Sequence, residues 1–143
     1  MDLILYSTIA WTISQIMKIS IRYYNTKSFQ FKEMVGSGDF PSAHTTFSSC
    51  LMILVGFRSG FFSDVFAVVA TLWGVVAYDS FHSRYSIGQQ AKTLNKIGHE
   101  LSKKGIMDYK PIPVFKGHTL AEMLGGFGLG TIVALILHFI FKI

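Results

Sequence analysis

The chain has 143 residues, half of them hydrophobic and only 15% charged, with a formal net charge of +5 and a mean hydropathy of +0.43. A soluble domain carries roughly 25% charged residues, so this composition excludes a disordered tail, a fibrous chain and an ordinary water-soluble globule, while the length excludes a multidomain enzyme. The single cysteine, Cys50, excludes an intrachain disulfide framework and a cysteine-rich zinc site. The basic residues are not grouped into an aromatic-interleaved patch, so no nucleic acid partner is expected, and a membrane surface or anionic lipid accounts better for the positive charge.

Residues 40–57 and residues 123–141 contain no Asp, Glu, Lys or Arg at all, and a helix needs only about 17–25 apolar residues to cross a bilayer core. The pattern predicts an all-α integral membrane protein, a single domain over residues 1–143, with about four transmembrane helices and an amphipathic surface helix in the third loop. The first stretch, residues 3–21, is amphipathic: Trp11, Gln15, Lys18 and Arg22 fall on one helical face. It lacks a basic n-region and a small-residue cleavage site, so no removable signal peptide is expected. A polar loop follows over residues 22–40. The second span covers residues 42–57, a tight turn residues 58–63, and the third span residues 61–78, with Asp64 near its start and Asp79 just past its end.

Residues 80–117 form a long polar connection. Within it, Ile87, Ala91, Leu94, Ile97 and Leu101 have helical spacing, which predicts an amphipathic helix over 86–103 lying on the membrane surface. Lys110-Pro111-Ile112-Pro113 breaks any helix before the last span. That span, residues 118–141, carries Glu122 as its one formal charge. Its Gly125-Gly126-x-Gly128-x-Gly130 run lies deep in apolar sequence and predicts close helix packing, not a phosphate loop. With four spans, the first and third loops share a side and hold ten of the thirteen Lys and Arg residues. The positive-inside rule makes that side cytoplasmic and both chain termini external, although cations recruited to an anion site would bias the same count.

Three groups of residues carry chemistry. Pro41-Ser42-Ala43-His44 opens the second span, where proline suits a first helical turn and backbone amides attract anions; the bland alternative is plain helix capping. Gly117-His118-Thr119-Leu120-Ala121-Glu122 opens the fourth. His118 and Glu122 stand four residues apart on one face, and a carboxylate on one ring nitrogen leaves the other free to act as nucleophile or base. The alternative is a pair that merely locks two helices together, but a glutamate in an otherwise uncharged span is a functional candidate by default. The third group is Lys18, Arg22, Asp79 and Arg84. Each reads singly as a charge snorkelling at a helix end, yet in a four-span topology all three groups meet at one interface.

Pro-Ser-x-His followed by a distant His-x-x-x-acid, with a lysine ahead of both, resembles the type-2 phosphatidic acid phosphatase and vanadium haloperoxidase superfamily. The chain looks most like its divergent branch of small bacterial and plant membrane proteins, through the Gly-rich approach to Pro41-Ser42-Ala43-His44, Tyr78-Asp79 to Arg84, Gly88-Gln89-Gln90-Ala91, Leu94-Asn95, and Gly117-His118-Thr119 with Glu122. The resemblance implies metal-independent removal of a phosphate monoester, or pyrophosphate, from a lipid headgroup. It implies His118 as the nucleophile that becomes a phosphohistidine, Glu122 as the residue orienting it, and His44 as the acid protonating the leaving alcohol. Ser42, Ala43 and Lys18 would bind phosphate oxygens. The superfamily's usual Arg-Pro after the lysine and Ser-Arg before the last histidine are absent, so Arg84 or Arg22 would supply the guanidinium, with Asp79 beside them.

The resemblance further implies no cofactor, inhibition by vanadate, and a phospholipid or polyprenyl phosphate substrate among the membrane lipids, with the site on the cytoplasmic face of a bacterial inner membrane. Four short helices also make a homo-oligomer an expectation. The rival readings are a divalent-metal enzyme using His44, Asp79, His118 and Glu122, and a non-catalytic headgroup-binding or transport protein.

Overall fold

The computed structural model describes residues 2–27, 40–114 and 117–143, and among these no strand occurs. Five α-helices follow one another: α1 (Asp2–Thr26), α2 (Ala43–Ser59), α3 (Asp64–Tyr78), α4 (Arg84–Lys103) and α5 (Leu120–Phe141). The polar loop expected over residues 22–40 falls largely outside the described residues, as does the Gly-rich approach to Pro41.

Each helix boundary has a local cause. The chain reaches α2 through a cis Phe40–Pro41 bond, and Ser42 caps the helix by accepting from the Thr45 amide; Gly60, at φ 90°, ends it. Ser63 caps α3 by accepting from the Phe66 amide at 3.2 Å, with Asp64 facing the positive end of the helix dipole. Gly105, at φ 68°, takes up the left-handed conformation that follows α4.

The connection between α3 and α4 corrects the expected loop. Instead of a polar linker starting at Ser80, a five-residue π-helical turn, Asp79–Ser83, joins the two helices. Helix therefore runs unbroken for 40 residues from Asp64 to Lys103. Residues 75–87 contain neither glycine nor proline, so nothing stops the helix; the change from apolar to polar sequence at Asp79 marks a change of surroundings and not of backbone. The amphipathic helix expected over 86–103 is present as α4, but as a continuation of the third span.

Two helices are long and apolar enough to cross a membrane, the continuous Asp64–Lys103 and α5. The other two expected spans form as helices but do not meet that measure: α2 has 17 residues, about 25 Å of rise, and α1 carries Lys18 and Arg22. The outward faces are strongly apolar. Val65, Val68, Leu72 and Val75 form one exposed stripe on α3, and Ile132, Ile136, Phe139 and Ile140 are exposed on α5. In water such a surface would aggregate; against lipid it is the expected exterior.

The centre of the fold is α2, against which α1, α3 and α5 all pack. Ala10, Cys50, Leu54, Val133, Ala134 and Leu137 form the core, and Trp73 of α3 donates to Ser49 of α2 at 2.7 Å. The face α1 turns inward is Ser7, Ala10, Ser14 and Lys18, small residues that let the helices approach, with one lysine at the end. The glycine run of α5 behaves as its spacing predicts. A methyl on Gly126 would strike the Ser42 carbonyl, and one on Gly130 the Thr46 carbonyl, so these two positions admit the α2 backbone directly. Gly130→Leu should therefore lower stability by about 1–3 kcal/mol, read as a reduced thermal midpoint in detergent. Gly128→Leu, at a position where an added Cβ meets nothing, should leave that midpoint nearly unchanged.

Candidate active site

Two backbone hydrogen bonds bring the expected groups together. The Ser42 amide donates to the Glu122 carbonyl at 3.0 Å, and the His118 amide donates to the Ser80 carbonyl at 3.1 Å. The start of α2, the start of α5 and the π turn thus converge, and α1 delivers Lys18, only 8% exposed, to the same place. Lys18 and Arg84 both lie within electrostatic range of His44 and of His118, and Asp79 acts on His44.

His118 is 4% exposed. Its Nδ1 lies 3.0 Å from Glu122 Oε2, and the same carboxylate oxygen accepts the Thr119 amide at 3.0 Å. The Thr119 hydroxyl in turn accepts the Glu122 amide at 3.2 Å. Glu122 is therefore both the third residue of a capping box and the partner of the imidazole. With Nδ1–H donated to the carboxylate, the lone pair of Nε2 is left for chemistry. Burial lowers the His118 pKa, Glu122 opposes that shift, and Lys18 and Arg84 reinforce it. The net displacement is downward, which keeps the ring neutral at pH 7, as a nucleophile requires.

His44 is exposed, on the first turn of α2. It heads a groove of about 380 Å³ between α1, α2 and α3, lined by Trp11, Phe47, Leu51, Leu72 and Val76. A second cleft, about 670 Å³, reaches His118 from the other side, between the π turn, the first turns of α4 and the segment ahead of α5; Phe81, His82, Gln89 and Lys92 line it. Arg84 Nε lies 3.3 Å from Asp79 Oδ2 across the π turn, so the acid holds the guanidinium at the site. Arg22 stands one turn beyond Lys18 on α1, half-exposed.

Ser42 is fully buried. Its hydroxyl accepts from the Thr45 amide at 3.4 Å and the Thr45 hydroxyl at 3.0 Å, so of the two roles weighed for it, capping is the one visible in its contacts. Ala43, also buried, follows it in the first turn. Among the described residues no three His, Cys, Asp or Glu side chains come together as metal ligands would.

Sequence reasoning missed the capping box, although Thr119-x-x-Glu122 carries its signature in plain view. It also missed the π turn and the Ser80 carbonyl that holds the His118 backbone. Neither of these has a side-chain pattern that announces it.

An all-helical, membrane-type bundle with a buried His–carboxylate pair facing two cations and a second histidine defines a class of protein that handles anionic groups at a membrane boundary. The chain belongs to the divergent PAP2 family, whose match covers residues 1–133. It is similar to YuiD of Bacillus subtilis (strain 168), described as an uncharacterized membrane protein, at 24% identity over 149 residues, covering 96% of this chain and 94% of that one. No solved structure matches.

The His118 ring should titrate below its ordinary value of 6.5, and lower still in Glu122→Gln, which removes the charge that pulls it up. Because the folded protein resists protonation there, the unfolded chain takes up protons first as the pH falls through 6.5, so stability drops on the acid side and is retained above it. Site-resolved NMR titration of the histidine, with thermal melts from pH 5 to pH 8 as approximate bounds, checks both; an upward shift in either protein is the contrary result.

Proposed function

We propose that this protein is a membrane-embedded hydrolase that removes a phosphate monoester or pyrophosphate from a lipid headgroup through a phosphohistidine on His118. The observation that carries this reading is the buried, neutral His118, oriented by Glu122 and flanked by Lys18, Arg84 and His44. In the first step Nε2 of His118 attacks phosphorus, the bond from phosphorus to the lipid oxygen breaks, and His44 gives that oxygen its proton. In the second, water attacks the phosphohistidine, His44 takes the proton, and phosphate leaves as His118 is regenerated. Lys18 and Arg84 offset the charge that builds on the equatorial oxygens, Asp79 holds Arg84, and the first turn of α2 at Ser42 and Ala43 presents amides to the phosphate.

The groove headed by His44 supports a lipid leaving group. It is lined with apolar side chains and begins at the residue that must protonate the departing oxygen, so a hydrocarbon chain seated there brings its phosphate to the histidines. Phosphatidic acid, phosphatidylglycerophosphate and undecaprenyl pyrophosphate all fit that description.

In this reading α1 and α2 are embedded as well, giving four membrane helices: α2 is enclosed by α1, α3 and α5, and a helix so enclosed enters the bilayer with its neighbours. The site then lies on the cytoplasmic face of a bacterial inner membrane, on the side of the Lys- and Arg-rich loops. The apolar stripe of α4 would rest on that surface.

The test is phosphate release by purified protein from a lipid-phosphate panel. His118→Ala should abolish turnover while headgroup binding persists. His44→Ala should cost about 10²–10⁴-fold on alkyl phosphates and far less on aryl phosphates, whose leaving groups need no proton. Vanadate should inhibit and chelators should not; chelator sensitivity would favour a metal enzyme. Labelled phosphate trapped on the wild type, acid-labile, base-stable and missing from His118→Ala, is the decisive result. Headgroup binding without any turnover would instead make this a binding or transport protein.

A further inference from the structure

Past Gly105 the chain runs back along α4 towards the site. Tyr109 lies against Gly98, where a Cβ would collide with its ring, and Gly117 lies against the backbone of Tyr85, where a Cβ would meet the Tyr85 nitrogen. The next residue, His118, reaches Ser80. The order 98, 85, 80 against 109, 117, 118 describes an antiparallel return that ends at the reactive histidine.

One side chain holds the middle of that return. Asn95 Oδ1 accepts the Ile112 amide at 2.8 Å, Asn95 Nδ2 donates to the Ile112 carbonyl at 2.9 Å, and the Tyr109 hydroxyl donates to the same Oδ1. Ile112 stands between Pro111 and Pro113, which have no N–H, so it brings the one backbone donor of that tripeptide, and Asn95 takes both of its polar groups. A carboxamide is the one short side chain that offers an acceptor and a donor side by side in this way. The two close glycine contacts make the fit demanding, because the segment can lie flat on α4 only while it is held down.

We propose that Asn95 is a positioning residue for His118: by pairing with Ile112, six residues earlier in the chain, it sets the line along which the segment ahead of α5 delivers the imidazole into its buried place between Ser80 and Glu122. The catalytic purpose of that placement rests on the proposed function; the placement itself does not.

The experiment is site-resolved carbethoxylation of the full-length protein in detergent with diethylpyrocarbonate, which modifies accessible neutral imidazoles, read by mass spectrometry. In the wild type the buried His118 should react slowly and the exposed His44 and His82 quickly. Asn95→Ala should raise the His118 rate on the order of tenfold while His44 and His82 keep theirs. Asn95→Asp, which keeps both acceptor contacts and loses the donor, should raise it less. Tyr109→Phe, which leaves the Ile112 pairing in place, should raise it least, and this graded series is what a general loosening of the bundle would not produce. An unchanged His118 rate in Asn95→Ala overturns the proposal, as does an equal rise at every histidine. Should Asn95→Ala fail to fold, an unchanged His118 rate in Asn95→Asp overturns it equally. On a lipid phosphate, kcat should fall with KM nearly constant. If no variant or wild type turns over any substrate, the phosphatase reading fails while the reactivity series still decides the placement.

Discussion

The hydrogen bond from the Ser42 amide to the Glu122 carbonyl joins the first turns of α2 and α5, and most of the site follows from it. It requires two helix backbones to approach more closely than side chains normally allow, which is why α5 has Gly126 and Gly130 where it faces α2. Once those turns are locked, His44 and the His118–Glu122 pair have no freedom to separate. Two motifs more than seventy residues apart become one cluster through backbone contact, with no side-chain bridge between the histidines themselves.

Glu122 carries a second constraint. A carboxylate near an apolar span is costly unless its oxygens are engaged, and one oxygen here accepts both the Thr119 amide and the His118 ring. The same bonds that start the helix also select the tautomer of the imidazole. Structural and chemical demands therefore fall on the same atoms, so a change that weakens the cap also disturbs the ring.

The helices themselves were legible because apolar run length and capping residues report directly on backbone state. Ser42, Ser63 and the glycine run did what their positions predicted, and the His118–Glu122 spacing foretold a contact that exists at 3.0 Å. What was misread was the polar stretch after Tyr78. Polarity marks where a segment meets water or headgroups, but a helix stops only for a backbone reason, and residues 75–87 supply none. Ser42 shows a related ambiguity: a hydroxyl at a helix start looks the same in sequence whether it caps or binds a ligand, and only its burial against Thr45 separates the roles. Asn95 left no trace of its function, since its partners are backbone atoms of a distant residue and a sequence carries no record of them.

The π turn has a bearing on how this chain tolerates changes of length. A π turn accommodates one residue more than the α-helical turn it replaces, and each residue advances an α-helix by about 100°. Deleting a single residue from Asp79–Ser83 would leave a perfectly good helix, with no cavity and no broken cap. It would nevertheless spin everything from Arg84 onward by more than a quarter of a revolution relative to α3, turning the Gly88, Ala91, Asn95 and Gly98 side of α4 away from the segment it holds. In most polar connections a one-residue deletion is a trimming; in this one it is a change of phase.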